Sequence, residues 1–394
     1  MIMDISNKIL INEKEYDMNA YSTKKTKELY IKSFGDENIP KVKVIWSHIQ
    51  GFRLDLFSDI DEKFDIKIYD RNNLIYETQL SNNMFCKLSR QYFNGIRYEI
   101  YYKNNLIKDE TISFNKKRVF ISFESSSLGD TISWLPYCEQ FRVENDCEVI
   151  VSTFKNFLFE KSYPELKFVG RGEIVENINV MFNVGWFYDK NKEPHNPATI
   201  PLQKSITNIL GLEFKEIRSK VDFIPKERPY NEKYITIATS STAGCKLWNY
   251  PNGWEKLADY LNKIGYKVIN ISKEGDIING VQNIIDNSLD NTMNVIYHSE
   301  FLIGLSSGLS WLSWALNKHV VMISNFTESD HEFTINCTRI TNPDVCNGCW
   351  NNPMFKFDKG DWYWCPEHKN TNRQFECHKS ITTEMVINEI KELL

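Results

Sequence analysis

Val119-Phe120-Ile121-Ser122-Phe123, then Glu124-Ser125-Ser126-Ser127-Leu128-Gly129-Asp130-Thr131, then Ile132–Arg142 are the stretches that decide the fold. The first is a short apolar run, the second a serine-rich loop around Gly129, and the third has the apolar spacing of a helix. Strand, glycine-containing loop and helix in that order open a βα unit, and such units build parallel sheets covered by helices. Toward the C-terminus, strands are expected at Glu148–Ser152, Leu166–Val169 and Asn179–Asn183, with a helix over Pro201–Leu210 ending at Gly211. After a linker at Asp222–Tyr230 the same grammar returns. Tyr234–Ala238, Lys267–Ile271, Phe301–Gly304 and Val320–Ser324 read as strands, and Trp254–Lys263 and Leu309–Leu316 as helices. An α/β protein with two Rossmann-like lobes, 116–228 and 229–394, is expected, its ligand gripped beyond the carboxyl ends of both sheets. Thr382–Leu394 should close the chain as a helix, with Thr382 or Thr383 as N-cap.

Toward the N-terminus the texture differs. Lys41–Trp46, Phe52–Phe57, Phe64–Tyr69, Leu74–Gln79, Gly95–Tyr102 and Thr111–Phe114 are short β-branched or aromatic runs separated by polar turns, which predicts an antiparallel β-rich domain over 37–115. Residues 1–36 read as an extension with a short helix around Lys24–Lys32.

Forty-seven basic and 52 acidic residues give a net charge of −5, with no basic, aromatic-interleaved stripe to neutralise phosphates, so no nucleic-acid partner is expected. No segment approaches the roughly 20 apolar residues of a membrane span, and the start lacks a basic, apolar leader, so the expected location is cytoplasmic. In a reducing compartment cysteines are seldom paired. Of nine cysteines, Cys86, Cys138, Cys147, Cys245 and Cys337 stand singly and read as small buried hydrophobes. The other four are clustered: Cys346-Asn-Gly-Cys349, Cys365 after fifteen residues and Cys377 after eleven more. A CxxC turn aims two thiolates at one ion and two more close the tetrahedron, which describes a structural metal site at about 340–380 rather than a catalytic one. Sulfur ligands suit zinc or iron alike. His368 and His378 are alternative ligands beside the last two cysteines.

Four strand ends carry candidate chemistry. In Ser127-Leu128-Gly129-Asp130-Thr131, Asp130 is a candidate general base, set against the common role of an Asp before a helix as a cap. In Ser240-Ser241-Thr242-Ala243-Gly244-Cys245-Lys246, small residues and Lys246 can cradle a diphosphate, although GxxxxGK is absent; a solvated surface lysine is the plain alternative. Ser306-Ser307-Gly308-Leu309 opens a helix whose amide donors suit the same anion. Glu274, just past Lys267–Ile271, stands where doubly wound folds often hold a ribose. Trp311, Trp314, Trp350, Trp362 and Trp364 read as packing.

Taken together, these residues resemble the GT-B glycosyltransferases related to lipopolysaccharide heptosyltransferases, and more specifically the bacterial autotransporter heptosyltransferases. The likeness runs from about Lys41 to Leu394: the β-rich N-terminal domain, Ser-Leu-Gly-Asp-Thr with Trp134-Leu135-Pro136-Tyr137 behind it, the Ser-Gly-Leu-Ser-Trp turn, and the four-cysteine finger that ordinary lipopolysaccharide heptosyltransferases lack. It implies ADP-heptose as donor and serines of an autotransporter adhesin as acceptor. It also implies Asp130 as base in an inverting transfer, Thr242, Lys246, Glu274 and Ser306–Leu309 around the donor, iron in the finger with zinc as alternative, no catalytic metal, and a homo-oligomer. One position departs. Lipopolysaccharide heptosyltransferases read Asp-Thr-Gly-Leu-Ser-His where this chain has Ser306-Ser307-Gly308-Leu309-Ser310-Trp311, so the sugar-binding acid is absent at Ser306. Either Glu328 or Asp330 replaces it or the sugar differs. A transferase using another nucleotide sugar, and a non-catalytic interaction module with degenerate lobes, are the competing expectations.

Overall fold

The computed structural model describes residues 40–272, 277–284 and 288–394, together with the backbone of 8–11 and 14–17. The Lys24–Lys32 helix and Glu274 lie outside the described residues. A short antiparallel hairpin, β1 (Lys8–Ile11) and β2 (Lys14–Asp17), precedes the main body.

The body begins with β3 (Val42–Ile49), β4 (Phe52–Ser58), β5 (Phe64–Asp70), β6 (Asn73–Leu80), β7 (Met84–Lys87), β8 (Ile96–Tyr102) and β9 (Asn105–Thr111). These strands divide between two sheets. β6-β5-β8-β9 form a four-stranded antiparallel sheet, whereas β3, β4 and β7 continue a seven-stranded mixed sheet ordered β12-β11-β10-β13-β3-β4-β7. In that sheet β10 (Arg118–Phe123), β11 (Glu148–Ser152), β12 (Lys167–Phe168) and β13 (Val180–Val184) are parallel, and β3 joins parallel to β13 through Val180 opposite His48. An unpaired parallel edge at β13 would leave backbone donors and acceptors open, and β3 closes it. Phe52, Leu54, Phe64, Ile66 and Tyr98 fill a separate core between this extension and the four-stranded sheet. β9 occupies 105–111, upstream of the strand expected at Thr111–Phe114.

The parallel part runs as the sequence grammar implies. α1 (Leu128–Asn145) starts earlier than Ile132, because the Ser127 hydroxyl accepts from the Asp130 amide and caps it, so Asp130 lies in the first helical turn. α2 (Leu202–Leu210) ends on Gly211 at φ 70°. The second sheet is all parallel, ordered β16-β15-β14-β17-β18-β19. Its strands are β14 (Tyr234–Ile237), β15 (Lys267–Asn270), β16 (Gln282–Asn283), β17 (Leu302–Leu305), β18 (Val320–Ile323) and β19 (Cys337–Ile340). α3 (Gly253–Lys263), α4 (Leu289–His298) and α5 (Gly308–Ala315) accompany it, followed by α6 (Glu376–Lys379) and α7 (Thr383–Ile390), whose N-cap Thr382 accepts from the Met385 amide. β14, β17 and β18 are buried along their whole length, as parallel strands covered on both faces should be.

One apolar cluster runs from the first sheet into the second, joining Val119, Phe123 and Trp134 to Leu302, Trp311 and Trp314. The joint is tightest where the N-termini of α1 and α5 meet. A Cβ on Gly129 would lie 3.0 Å from the Trp311 ring and 3.6 Å from the Gly308 Cα, and one on Gly308 would lie 3.0 Å from the Leu128 Cβ. Facing glycines therefore let two helix starts, one per sheet, approach to backbone contact.

Candidate active site where the two sheets meet

The carboxyl end of β10 leads into the loop that delivers Asp130. Its side chain is only 8% exposed, and one oxygen, Oδ2, accepts from the Ser125 hydroxyl at 2.5 Å and from the Trp186 indole at 2.8 Å. Trp186 follows β13 after Gly185, so two neighbouring strand ends of the first sheet converge on one carboxylate. The end of β10 and the loop after it are held by charged groups. Lys155 donates to the Ser126 carbonyl at 2.8 Å, and burial lowers its pKa. Arg171 donates to the Phe123 carbonyl at 2.7 Å and lies 3.8 Å from Glu124.

Across the joint, the loop after β14 carries Thr242 and Lys246. Thr242 is exposed; Lys246, half-buried at the end of a 3-10 turn, lies over the Phe326 ring at 5.3 Å. The loop is anchored by Gly244, whose amide donates to the Trp362 carbonyl at 3.1 Å, and a Cβ there would sit 2.6 Å from that oxygen. The turn into α5 brings Ser306, Ser307, Gly308 and Leu309. Ser307 has the extended backbone of an N-cap but makes no capping bond, and among the described residues its buried hydroxyl has no partner.

Ser306 donates to the carboxylate of Glu332, a residue that no motif in the sequence singles out. Glu332 is buried, held by Arg339 at 2.7 Å and by the Thr327 hydroxyl at 3.0 and 3.1 Å. Burial, the largest single influence, would push its pKa up, but the charges of Arg339 and His331 together with the hydrogen bonds from Ser306 and Arg339 outweigh it and hold the carboxyl down at about 2. Glu328 and Asp330, the residues expected to supply a missing acid, are exposed; Glu328 lies against Gly348, where a Cβ would collide with its Oε1. The acid behind Ser306 stands 26 positions along the chain, beyond the reach of any local motif. Next to it, His331 stacks on Trp186 at 6.3 Å, and burial lowers its pKa although the Glu332 charge opposes this. Trp186 thus touches Asp130 on one side and the Glu332 segment on the other.

The cysteine-bearing loop packs beside this joint. Its CxxC turn needs Gly348, at φ 66° and pressed on Glu328. Cys365 packs in an apolar cluster with Ala243, Cys245, Phe326, Trp364 and Phe375, and Cys349 lies at its rim. Burial and the other cluster thiols raise Cys349 to about 12, and burial, Glu376 and Glu367 raise Cys346. These are crowded would-be anions, a setting that a bound cation relieves. Among the described residues, the group of three donor atoms lying within 4.8 Å of one another is Cys346, Glu367 and His368, rather than the four sulfurs. His368 Nε2 is buried with no hydrogen-bond partner among the described residues. His378 is wholly buried, and both its ring nitrogens are unpartnered among the described residues. Trp311, Trp314 and Trp364 are buried in the packing, while Trp362 is 46% exposed.

A model of glycosyltransferase family 9 (heptosyltransferase) matches residues 200–363. Over 322 residues the chain is 34% identical to the autotransporter heptosyltransferase Aah of Escherichia coli, spanning 77% of this chain and 82% of Aah. The chain belongs to the autotransporter heptosyltransferases. It is a glycosyltransferase, and its mixed α/β fold is similar to that of another family member, the iron-containing dodecameric TibC of E. coli, with a TM-score of 0.80 at 29% identity over 91% of this chain and 99% of TibC. TibC in complex with ADP-D-β-D-heptose matches with a TM-score of 0.79 at 28% identity over the same shares. An inactive autotransporter heptosyltransferase, BimC of Burkholderia thailandensis, is 26% identical over 371 residues, 88% of this chain and 87% of BimC. No helix among the described residues is long and apolar enough to cross a membrane.

Proposed function

We propose that this enzyme transfers heptose from ADP-heptose to serine hydroxyls of an autotransporter adhesin, with inversion at the sugar carbon. Asp130 is the base: its carboxylate takes the serine proton as the serine oxygen bonds to the anomeric carbon, and ADP leaves with the electrons of the broken carbon–oxygen bond. Lys246, Thr242 and the amide end of α5 stabilise the diphosphate charge as it develops, in the two-lobed GT-B manner. Glu274 would hold the ribose. Ser306 is placed on the sugar; its hydrogen is committed to Glu332, so its oxygen is left as an acceptor, a partial stand-in for the acid that lipopolysaccharide heptosyltransferases carry there. The observation that carries the reading is Asp130 itself, a nearly buried carboxylate with two donors on one oxygen, at the meeting of two helix N-termini. The donor follows from the TibC complex, and the adhesin acceptor from the family's name.

The finger is proposed to hold one structural metal ion on Cys346, Cys349, Cys365 and Cys377, iron in keeping with TibC and zinc as alternative, in a cytoplasmic homo-oligomer. The crowded thiols fit such an ion, and the Cys346, Glu367 and His368 grouping makes His368 the competing ligand. No catalytic metal is invoked.

The test is transfer by Asp130→Asn, read as the intact mass of an adhesin fragment incubated with ADP-heptose. Loss of at least about 100-fold in rate with ADP binding retained is expected for a removed base; wild-type transfer would sink the assignment. A second reading, a non-catalytic module, draws on the inactive relative BimC and on the serine at 306. It predicts no thermal stabilisation by ADP-, UDP-, GDP- or CMP-sugars, whereas a transferase for a different sugar predicts stabilisation by another nucleotide.

A further inference from the structure

We infer that Trp186 is the positioning residue of the catalytic base, acting through its indole N–H on one oxygen of Asp130; this rests on Asp130 being the base. The indole N–H can donate but never accept. Its bond to Oδ2, at 2.8 Å, therefore joins the Ser125 hydroxyl bond, at 2.5 Å, in occupying that oxygen with two donors. Oδ1 is left to face the incoming hydroxyl. Together the two bonds fix the plane of the carboxylate, which a side chain anchored only at its own Cα would not hold.

The ring is itself held on three sides. Trp134 lies 6.3 Å away in the core of the first lobe, His331 stacks at 6.3 Å and 29° from the second, and Trp350 meets it edge-on at 5.3 Å and 87°. Trp350 is the residue after Cys349. His331 is fixed in turn: the Asn351 amide reaches its Nδ1 at 3.1 Å and the Ala198 carbonyl at 2.7 Å. One indole therefore reads both lobes and the cysteine loop, and delivers the result to the base as the angle of a single hydrogen bond.

Trp186→Phe keeps an aromatic ring in the packing and deletes the donor. At neutral pH kcat with an adhesin fragment should fall about tenfold with KM for ADP-heptose within about twofold, as expected when orientation and not donor binding is lost. A β-(3-benzothienyl)alanine at position 186 keeps the bicyclic shape and removes only the N–H, and the same fall in kcat at unchanged KM is required of it. Wild-type kcat in that variant overturns the inference even if Trp186→Phe is impaired, because a purely packing role is preserved by the bicyclic ring. Asp130→Asn distinguishes the two failures. If that variant transfers sugar normally, the base assignment is at fault; if it is inactive and the benzothienylalanine variant turns over as wild type, only the positioning role is lost.

Discussion

The two strand ends that meet at the joint are built differently. On the first sheet Asp130 is buried and already bonded by Ser125 and Trp186, each drawn from a different loop. On the second, Lys246 leans on an aromatic face, Thr242 is exposed and the Ser307 hydroxyl has no partner among the described residues. The proposed base is organised before any substrate arrives, whereas the groups proposed for the diphosphate keep their hydrogen-bonding capacity for the ligand. A proton acceptor must be aimed within a fraction of an ångström, while a multiply charged diphosphate can draw flexible donors to itself.

That contrast breaks if the second side proves as tightly prearranged as the first. The largest effect should come from the buried Glu332 and Arg339 pair beneath Ser306. Glu332→Ala leaves the guanidinium buried and uncompensated, and is expected to cost about 3–5 kcal/mol of folding stability, measured by urea denaturation. A loss under about 1 kcal/mol would mean that the turn into α5 does not depend on the pair. Next, Lys246→Met should weaken ADP binding about ten- to hundredfold, the usual worth of a hydrogen bond to a charged group, with the melting temperature nearly unchanged. Titration calorimetry reads the first quantity and calorimetric melting the second; unaltered ADP affinity would return Lys246 to the status of a surface lysine. The smallest effect is one of slope. Glu193, 1% exposed in the stretch that follows Trp186, has neither carboxylate oxygen in good hydrogen-bond geometry with any of the described residues, and burial pushes its pKa up to about 9 against a smaller opposing influence of the Asn208 amide beside it. Because the folded state then holds a proton that the unfolded chain releases near the ordinary value of 4.5, stability must fall as pH rises from about 4.5 toward 9. Glu193→Gln should flatten that fall. Denaturation midpoints at pH 5 and pH 8 that decline equally in the variant and the wild type would remove Glu193 as its source.

Much of the fold can be read without coordinates because parallel strands are short, largely apolar runs: Val119–Phe123 and Tyr234–Ala238 admit few other interpretations. The pattern misleads where burial is partial. β9 is mostly exposed and polar, so it lacks a hydrophobic signature, and the nearest apolar cue points downstream to Phe114. β19, Cys337-Thr338-Arg339-Ile340, carries an arginine whose use is to neutralise Glu332, which no local pattern announces. The start of α1 is hidden because serines and Gly129 mimic a loop, though Ser127 caps a helix there. At the site, Asp130 and Lys246 are legible because each sits at a strand end within a short motif. Trp186 and Glu332 are not, since their partners lie 56 and 26 residues away and only the tertiary fold introduces them.

The bond from Gly244 to Trp362 has a thermodynamic consequence. It pins the loop of Lys246 to a residue of the cysteine-bearing segment, three positions before Cys365. A metal ion that orders that segment and an ADP that orders that loop would act on the same contact, and coupling of this kind is reciprocal. Whatever factor the ion adds to nucleotide affinity, the nucleotide must add to retention of the ion. The rate at which a chelator strips the protein, measured with and without saturating ADP, would then report on the donor site through the cysteine segment beside it.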